Sequence, residues 1–189
     1  MSRKAALWVA VLVVIACSKS EPPREARVST PAGDPLSDQA LSALRYTTTQ
    51  SPGGTRIDTT QGATEPNGAQ HTSIVLIARG DLSGDNKPEA VVVLFSDSGE
   101  SGKFLDLVPV FADASGARPG RPTFLGDRVR PDSLWVSGGQ AYLRIVTHGP
   151  SDPACCPGQP EEHRYRLLGD SLRLEERKAL PTPDTTGTD

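Results

Sequence analysis

Residues 73–95 read SIVLIARGDLSGDNKPEAVVVLF. Two short β-branched runs, Ile74–Ala78 and Ala90–Phe95, are bounded by Gly, Asp and Pro, a pattern typical of strands that are covered on both faces. We therefore predict that both runs are central strands and that the polar stretch between them is their connecting turn.

Strand signals continue at close spacing after this stretch. Pro109 lies inside the apolar run Phe104–Ala112 and, because proline lacks the N–H donor of a ladder, it predicts an edge strand or a bulge. Weaker or hairpin-like strand patterns follow at 123–129, 134–136, 140–147, 163–168 and 171–175. We therefore predict a mainly β fold (α+β) built on one antiparallel sheet of about seven strands.

A short N-terminal helix is predicted before the sheet. Its apolar residues at helical spacing are Leu36, Ala40, Leu41 and Leu44. Ser37 or Asp38 provides the N-cap, and we expect the apolar side of the helix to pack on the sheet. Residues 47–72 are low in hydrophobic side chains, which predicts a long loop with one weak strand near Ile57.

The composition limits the class of protein. The chain of 189 residues contains 18 Gly and 17 Pro, is only 5% aromatic and has a net charge of −3 at pH 7. These values favour one β-rich domain and argue against a basic surface that binds nucleic acid. We assign the domain to residues 36–178, with its best-defined part at 73–177, and expect the Thr/Pro-rich residues 179–189 to form a disordered tail.

The N-terminus carries the pattern of an export signal. Residues 1–16 combine two basic residues with an apolar run that is shorter than the roughly 20 residues of a membrane span, which predicts a signal peptide. Val14-Ile15-Ala16-Cys17 resembles the bacterial lipobox, whose cysteine accepts diacylglycerol. The alternative is an ordinary signal peptide in which Cys17 occurs by chance.

Lipidation at Cys17 implies a location. Acyl chains hold an N-terminus in a membrane, and residues 17–35 are polar and proline-punctuated, which is typical of a flexible tether. We therefore expect the folded domain in the bacterial cell envelope, anchored at the outer membrane or at the outer face of the plasma membrane.

Cys155 and Cys156 are adjacent, and with Cys17 lipidated they are the other two thiols of the chain. In an oxidising compartment the simplest interpretation is a vicinal disulfide, which serves as a rigid turn, a redox switch or a ligand platform. His148 and Asp152 are the other candidate residues of this loop. A zinc site that adds His148 and His163 competes, but structural zinc sites usually space their cysteines by two to four residues.

A second candidate site lies in the turn between the first two strands. Asp81, Ser83, Asp85 and Glu89 occupy ligand positions 1, 3, 5 and 9 of a calcium loop. Asn86 replaces the usual glycine at position 6, and Val92 cannot provide the bidentate carboxylate of position 12. The pattern therefore predicts either weak calcium binding, with no other cofactor, or a β-turn rich in Asp, Asn and Gly.

Four segments, read in order, resemble a family of uncharacterised bacterial secreted proteins and lipoproteins. They are GDLSGDNKPEAVVVL (80–94), FLGDRV (124–129), THGPSDPACCPGQP (147–160) and YRLLGDSLRL (165–174). The mycobacterial LppP/LprE lipoproteins look similar, and the Cys-Cys-Pro motif is the most specific part of the pattern. The resemblance implies a lipoprotein with a disulfide, and it implies no enzyme activity.

The chain lacks the motifs G-x-S-x-G, H-E-x-x-H, S-x-x-K and G-x-x-x-x-G-K-[ST], so its sequence gives no support for catalysis. We expect a membrane-anchored binding or structural module whose partner is an envelope protein, a glycan or a small ligand. The alternatives are a redox or metal-handling protein that uses Cys155 and Cys156, and an extracellular domain stabilised by calcium.

Overall fold

The computed structural model describes residues 33–57, 71–97 and 102–181. In chain order its elements are α1 (Asp38–Ala43), β1 (Arg45–Tyr46), β2 (Thr55–Arg56), β3 (His71–Gly80), β4 (Glu89–Asp97), β5 (Lys103–Asp113), β6 (Gly116–Pro119), β7 (Thr123–Asp127), β8 (Arg130–Ser137), β9 (Gln140–Thr147), β10 (Gln159–Leu168) and β11 (Ser171–Ala179). The predicted signal peptide, Cys17, most of the tether and residues 182–189 of the predicted tail lie outside the described residues.

The strands of the described residues form three antiparallel sheets. β3, β4, β5, β6 and β7 form a five-stranded sheet, in which β6 and β7 both pair with β5. A four-stranded sheet has the order β11-β10-β9-β8, and β1 pairs with β2. The prediction of antiparallel β structure is confirmed, but the prediction of one sheet of about seven strands is wrong because the two C-terminal hairpins pair with each other.

The main core lies between the two large sheets. Its buried side chains come from both sheets and, at Leu82, from the connection between β3 and β4: Leu82, Val91, Val93, Leu105, Leu107, Ala141, Leu143, Ile145, Tyr165 and Leu172. Strand β3 approaches β8 closely, and a Cβ on Gly80 would lie 2.6 Å from Cγ1 of Val136. Glycine at position 80 therefore permits the two sheets to meet at this edge.

β4 is the central strand that its sequence predicts. Val91 and Val93 face the core between the sheets, whereas Val92 and Leu94 belong to a second core on the opposite face. This double burial explains the continuous apolar run. β3, which the sequence predicts to be central, is an edge strand that pairs only with β4 within the described residues.

The N-terminal segment covers the outer face of the five-stranded sheet. Leu36, Leu41 and Tyr46 are buried there, and the Ser37 side chain caps α1 by accepting a hydrogen bond from the N–H of Ala40. The prediction of a short helix packed on the sheet is confirmed. Among the described residues, no helix has the length and apolar character required to cross a bilayer.

Pro109 does not mark an edge strand. β5 pairs with β4 from Lys103 to Val110, and the partner on its other side changes from β7 to β6 near Pro109. The Pro109 carbonyl accepts a hydrogen bond from the N–H of Gly120, so the position without an N–H faces the connection between β6 and β7. The prediction of an edge strand or a bulge at Pro109 is therefore wrong. The N–H that proline lacks falls where the pairing of β5 with its second neighbour is already interrupted.

Asp106 fastens residues 45–57 to β5. This fully buried carboxylate accepts hydrogen bonds from the N–H of Thr49 (3.2 Å) and from its hydroxyl (2.9 Å). Burial raises the pKa of Asp106 above its ordinary value, and the hydrogen bonds from Thr49 oppose the rise only in part. The folded protein therefore favours the protonated carboxyl more than the unfolded chain does.

This shift predicts a pH dependence. Protonation of Asp106 makes its full contribution to the free energy of unfolding below the ordinary aspartate pKa of about 3.9. This contribution is lost as the pH rises through the raised pKa of Asp106 in the folded protein. We expect the free energy of unfolding of Asp106→Asn, relative to the unmodified protein, to increase over this pH window. Urea titrations of both proteins from pH 3.5 to 7 measure this difference, and a difference that is constant with pH would contradict the prediction.

Candidate functional site

Residues 148–158, which we call the double-cysteine loop, connect β9 to β10. The structure confirms the disulfide between Cys155 and Cys156, whose Cα atoms are 3.8 Å apart. Both cysteines are exposed to solvent, and the N–H of Cys156 donates to the Pro153 carbonyl. The disulfide therefore lies at the surface of a folded turn.

Asp152 organises this loop from within. Its Oδ2 accepts hydrogen bonds from the N–H of Gly149 (2.8 Å) and the N–H of Gly158 (2.7 Å), which lie near the two ends of the loop. These backbone donors, and then the charge of His148, hold the pKa of Asp152 below its ordinary value. A Cβ on Gly158 would lie 3.2 Å from both carboxylate oxygens, so glycine allows this close approach.

His163 is not a loop residue. It lies within β10 and is only 2% exposed. Its Nδ1 is 3.0 Å from the Tyr165 hydroxyl, and its Nε2 is 2.6 Å from Oε2 of Glu161. Alternation along β10 places all three side chains on the face that meets the core.

A metal site built from both histidines and both cysteines therefore does not assemble here. His163 is held in the interior, whereas Cys155 and Cys156 are exposed. Within the described residues, no group of three or more His, Cys, Asp or Glu side chains is placed to hold a metal ion.

A groove of about 370 Å³ adjoins the double-cysteine loop. It lies where the loop meets β8, β9, β10 and the residues after β11. Its lining includes Arg130, Arg144, Val146, Pro157, Pro160 and Pro181. Leu180 donates its N–H to the Pro160 carbonyl and so continues the pairing beyond β11, which brings the chain to the groove. The groove therefore offers apolar walls beside two guanidinium groups and the carboxylates of Asp132 and Glu161.

The acidic turn between β3 and β4 is held by its own carboxylates. Asp81 accepts hydrogen bonds from the N–H groups of Gly84 (2.6 Å) and Asn86 (2.9 Å). Glu89, which is buried, accepts from the N–H groups of Leu82 and Ser83. In this connection, residues 81–88, the carboxylates therefore satisfy backbone donors.

Asp85 and Asn86 lie in the same connection between β3 and β4. Asp85 accepts from the N–H of Lys87, and this bond is the main cause that holds the pKa of Asp85 below its ordinary value. Asn86 has φ 63°, a left-handed conformation for which glycine is the usual residue. Calcium binding by this turn stays a prediction.

Comparison of the chain with protein-family models, with curated proteins and with solved structures finds no match. The functional assignment therefore rests on the residues and their geometry.

Proposed function

We propose that the protein is a lipid-anchored component of the bacterial cell envelope, and that its folded domain is a non-catalytic binding module. In this proposal Cys17 carries the lipid and the residues up to Pro35 form the tether. The partner binds at the double-cysteine loop and in the adjoining groove. The partner is an envelope protein, a glycan or a small ligand, and no reaction is required of the domain.

The observation that carries this proposal is the position of the disulfide. Two exposed cysteines lie on a loop that Asp152 closes, next to a groove of about 370 Å³. A loop whose two ends are joined by hydrogen bonds to one side chain loses little conformational entropy when a partner binds, so it is well suited to recognition.

The test uses the full-length protein, purified in detergent, with Cys155 and Cys156 both changed to Ser. We expect capture of its partners from envelope extracts, measured by mass spectrometry of proteins and glycans, to fall by about tenfold or more. Phe124→Ala is the control, because Phe124 is exposed on the five-stranded sheet. Circular dichroism must remain unchanged, and undiminished capture by the double variant would contradict the proposal.

The exposure of both cysteines also favours a second candidate, a redox function. Reduction would convert the disulfide into two thiols with uptake of two electrons and two protons from a dithiol donor. Titration with glutathione buffers, read by alkylation and intact mass, tests it. Half-reduction near −180 to −230 mV, the range of exchange-active disulfides, supports the redox function, whereas resistance to reduction down to −300 mV excludes it.

A further inference from the structure

The outer face of the four-stranded sheet carries a local excess of cations. Alternation along β9 and β10 directs Ala141, Leu143 and Tyr165 into the core and their neighbours outward. We call the outward surface the arginine face. The strand register places six cations on it: Arg130, Arg144, Arg164, Arg166, Arg173 and Lys178.

Half of these cations have no carboxylate partner. Three form ion pairs with glutamates of neighbouring strands: Arg144 with Glu162 (3.2 Å), Arg164 with Glu176 (3.1 Å) and Arg166 with Glu175 (2.8 Å). Among the residues that the structure describes, Arg130, Arg173 and Lys178 form no ion pair. Asp132, exposed at the irregularity of β8, is a fourth carboxylate. The arginine face therefore has two more cations than carboxylates, whereas the chain has a net charge of −3.

Two guanidinium groups of this face lie directly opposite each other. The register of β10 and β11 pairs Arg166 with Arg173, and both residues are exposed. Like charges at directly opposite positions destabilise a sheet, and Glu175 compensates Arg166 but not Arg173. An anionic group held between the two guanidiniums would accept charge-assisted hydrogen bonds from both and remove this repulsion.

A second cationic place lies farther along the same strands. Lys178 is opposite Glu162, and Arg144 is the neighbour of Glu162 on the other side. Glu162 is four residues from Arg166 on β10, which corresponds to about 13 Å along a strand. Arg144 also lines the groove beside the double-cysteine loop, so the arginine face and the groove form one connected surface.

Two stacked aromatic rings lie in the row between the two cationic places. Trp135 and Tyr142 are opposite each other on β8 and β9, with ring centroids 5.3 Å apart and an interplanar angle of 8°. Arg164 is opposite Tyr142 on β10 and continues this row. The guanidinium carbon of Arg144 lies 5.4 Å from the centroid of the Trp135 ring. Both rings are held by these contacts and stay partly open to solvent.

We propose that the arginine face binds an acidic oligosaccharide, an inference that rests on the binding-module function and names the class of its ligand. Five of the six cations are arginines, whose planar fork binds carboxylate and other oxyanions through two hydrogen bonds. The acidic groups of the ligand bind at the two cationic places. A sugar ring between them packs its C–H groups on Trp135 and Tyr142.

The carboxylates of the arginine face favour an oligosaccharide over an anionic membrane. Glu162, Glu175 and Glu176 lie among the guanidinium groups and would repel a surface of continuous negative charge. An acidic oligosaccharide separates its charges by hydroxyl groups, and hydroxyls donate hydrogen bonds to carboxylates. Its alternation of acidic and neutral groups therefore matches the alternation of guanidinium and carboxylate groups on the sheet.

The test follows the fluorescence of Trp135. The chain has two tryptophans, so Trp135 is the only one in a Trp8→Phe background of the full-length protein. The probes are hexagalacturonate, which carries carboxylates, and a heparin hexasaccharide, which also carries sulfates, each added to the protein in nonionic detergent. We expect a saturable change in Trp135 emission with an affinity that falls as salt is raised. The methyl ester of hexagalacturonate, which has the same backbone without the charges, is expected to give no saturable change.

The variant that tests the site is Arg173→Gln combined with Lys178→Gln, because it removes two cations without breaking an ion pair of the described residues. We expect it to weaken the affinity by about tenfold or more. Its matched control is Arg56→Gln with Lys103→Gln, which makes the same change in net charge at exposed positions of β2 and β5 and leaves the affinity unchanged. Circular dichroism of each variant verifies folding.

Four results would overturn the proposal. They are no saturable response to either acidic probe at millimolar concentration, equal binding of the methyl ester, an undiminished affinity in the test variant, and an equal loss in the control variant. The membrane is tested with the protein reconstituted in phosphatidylcholine vesicles, with and without phosphatidylglycerol. A change in Trp135 emission that depends on phosphatidylglycerol, with no response to the acidic probes, would replace the oligosaccharide by the membrane surface.

This proposal and the proposed function fail in different ways. Cysteine-dependent capture of an envelope protein, with no response to the acidic probes, would leave the binding module intact and reject the oligosaccharide. Undiminished capture by the double-cysteine variant, together with a response to the acidic probes that depends on Arg173 and Lys178, would move the binding site from the double-cysteine loop to the arginine face.

Discussion

Tyr46→Ala is expected to lower the free energy of unfolding by about 3–5 kcal/mol, the cost typical of removing a large buried aromatic side chain. Tyr46 is 0% exposed and belongs to the core between the N-terminal segment and the five-stranded sheet. Its ring packs among residues of α1, β4 and β5, so truncation leaves a cavity that cannot collapse without moving the sheet. Urea denaturation followed by circular dichroism measures the change.

Tyr46→Phe separates the ring from its hydroxyl. The hydroxyl donates to the Leu41 carbonyl at 3.0 Å, and burial raises the pKa of Tyr46 above its ordinary value, so the group remains a neutral donor. Loss of this one buried hydrogen bond is expected to cost about 1–2 kcal/mol. Equal losses in the Ala and Phe variants would show that packing of the ring contributes nothing, contrary to the expectation.

Local signals in the sequence predict local structure well. Ser37 followed by apolar residues at helical spacing marks α1, and Gly138-Gly139 and Gly169-Asp170 mark the turns of the β8–β9 and β10–β11 hairpins. The run of β-branched residues from 90 to 95 marks a strand that is buried on both faces. In each case, the residues that form the helix, turn or strand are the same residues whose pattern predicts it.

Long-range arrangement is where the predictions fail. A hairpin signal tells which strands are neighbours, but not which sheet the pair joins, so two packed sheets are predicted as one. Tyr46 stands beside a Thr-rich stretch whose composition is that of a loop, and only its position under β4 and β5 makes it a core residue. His163 is two residues from Tyr165 on the same strand, so both side chains point into the core. Because histidine is polar, the sequence pattern does not identify it as a core residue.

The candidate site shows the same division. The disulfide follows from two adjacent cysteines and an oxidising location, which is local chemistry. The groove combines β8, the end of β9, the start of β10 and Pro181. Pro181 belongs to the stretch that the sequence predicts as a disordered tail. No spacing along the chain brings these four segments together, so this part of the site requires the fold.

Leu143→Ala is the second variant with a large expected effect, a loss of about 2–5 kcal/mol in the free energy of unfolding. Leu143 is 0% exposed in the core between the two large sheets, opposite Leu134 on β8 and His163 on β10. Its removal opens a cavity where the sheets pack against each other.

Leu168→Ala makes the same chemical change at a site that is 55% exposed, and it is expected to alter stability by at most about 0.5 kcal/mol. Because both leucines lie in strands of the same sheet, the difference between the variants isolates burial from strand propensity. If the two variants lose equal stability, the four-stranded sheet does not pack through Leu143 in solution, and the two large sheets do not share a core at this position.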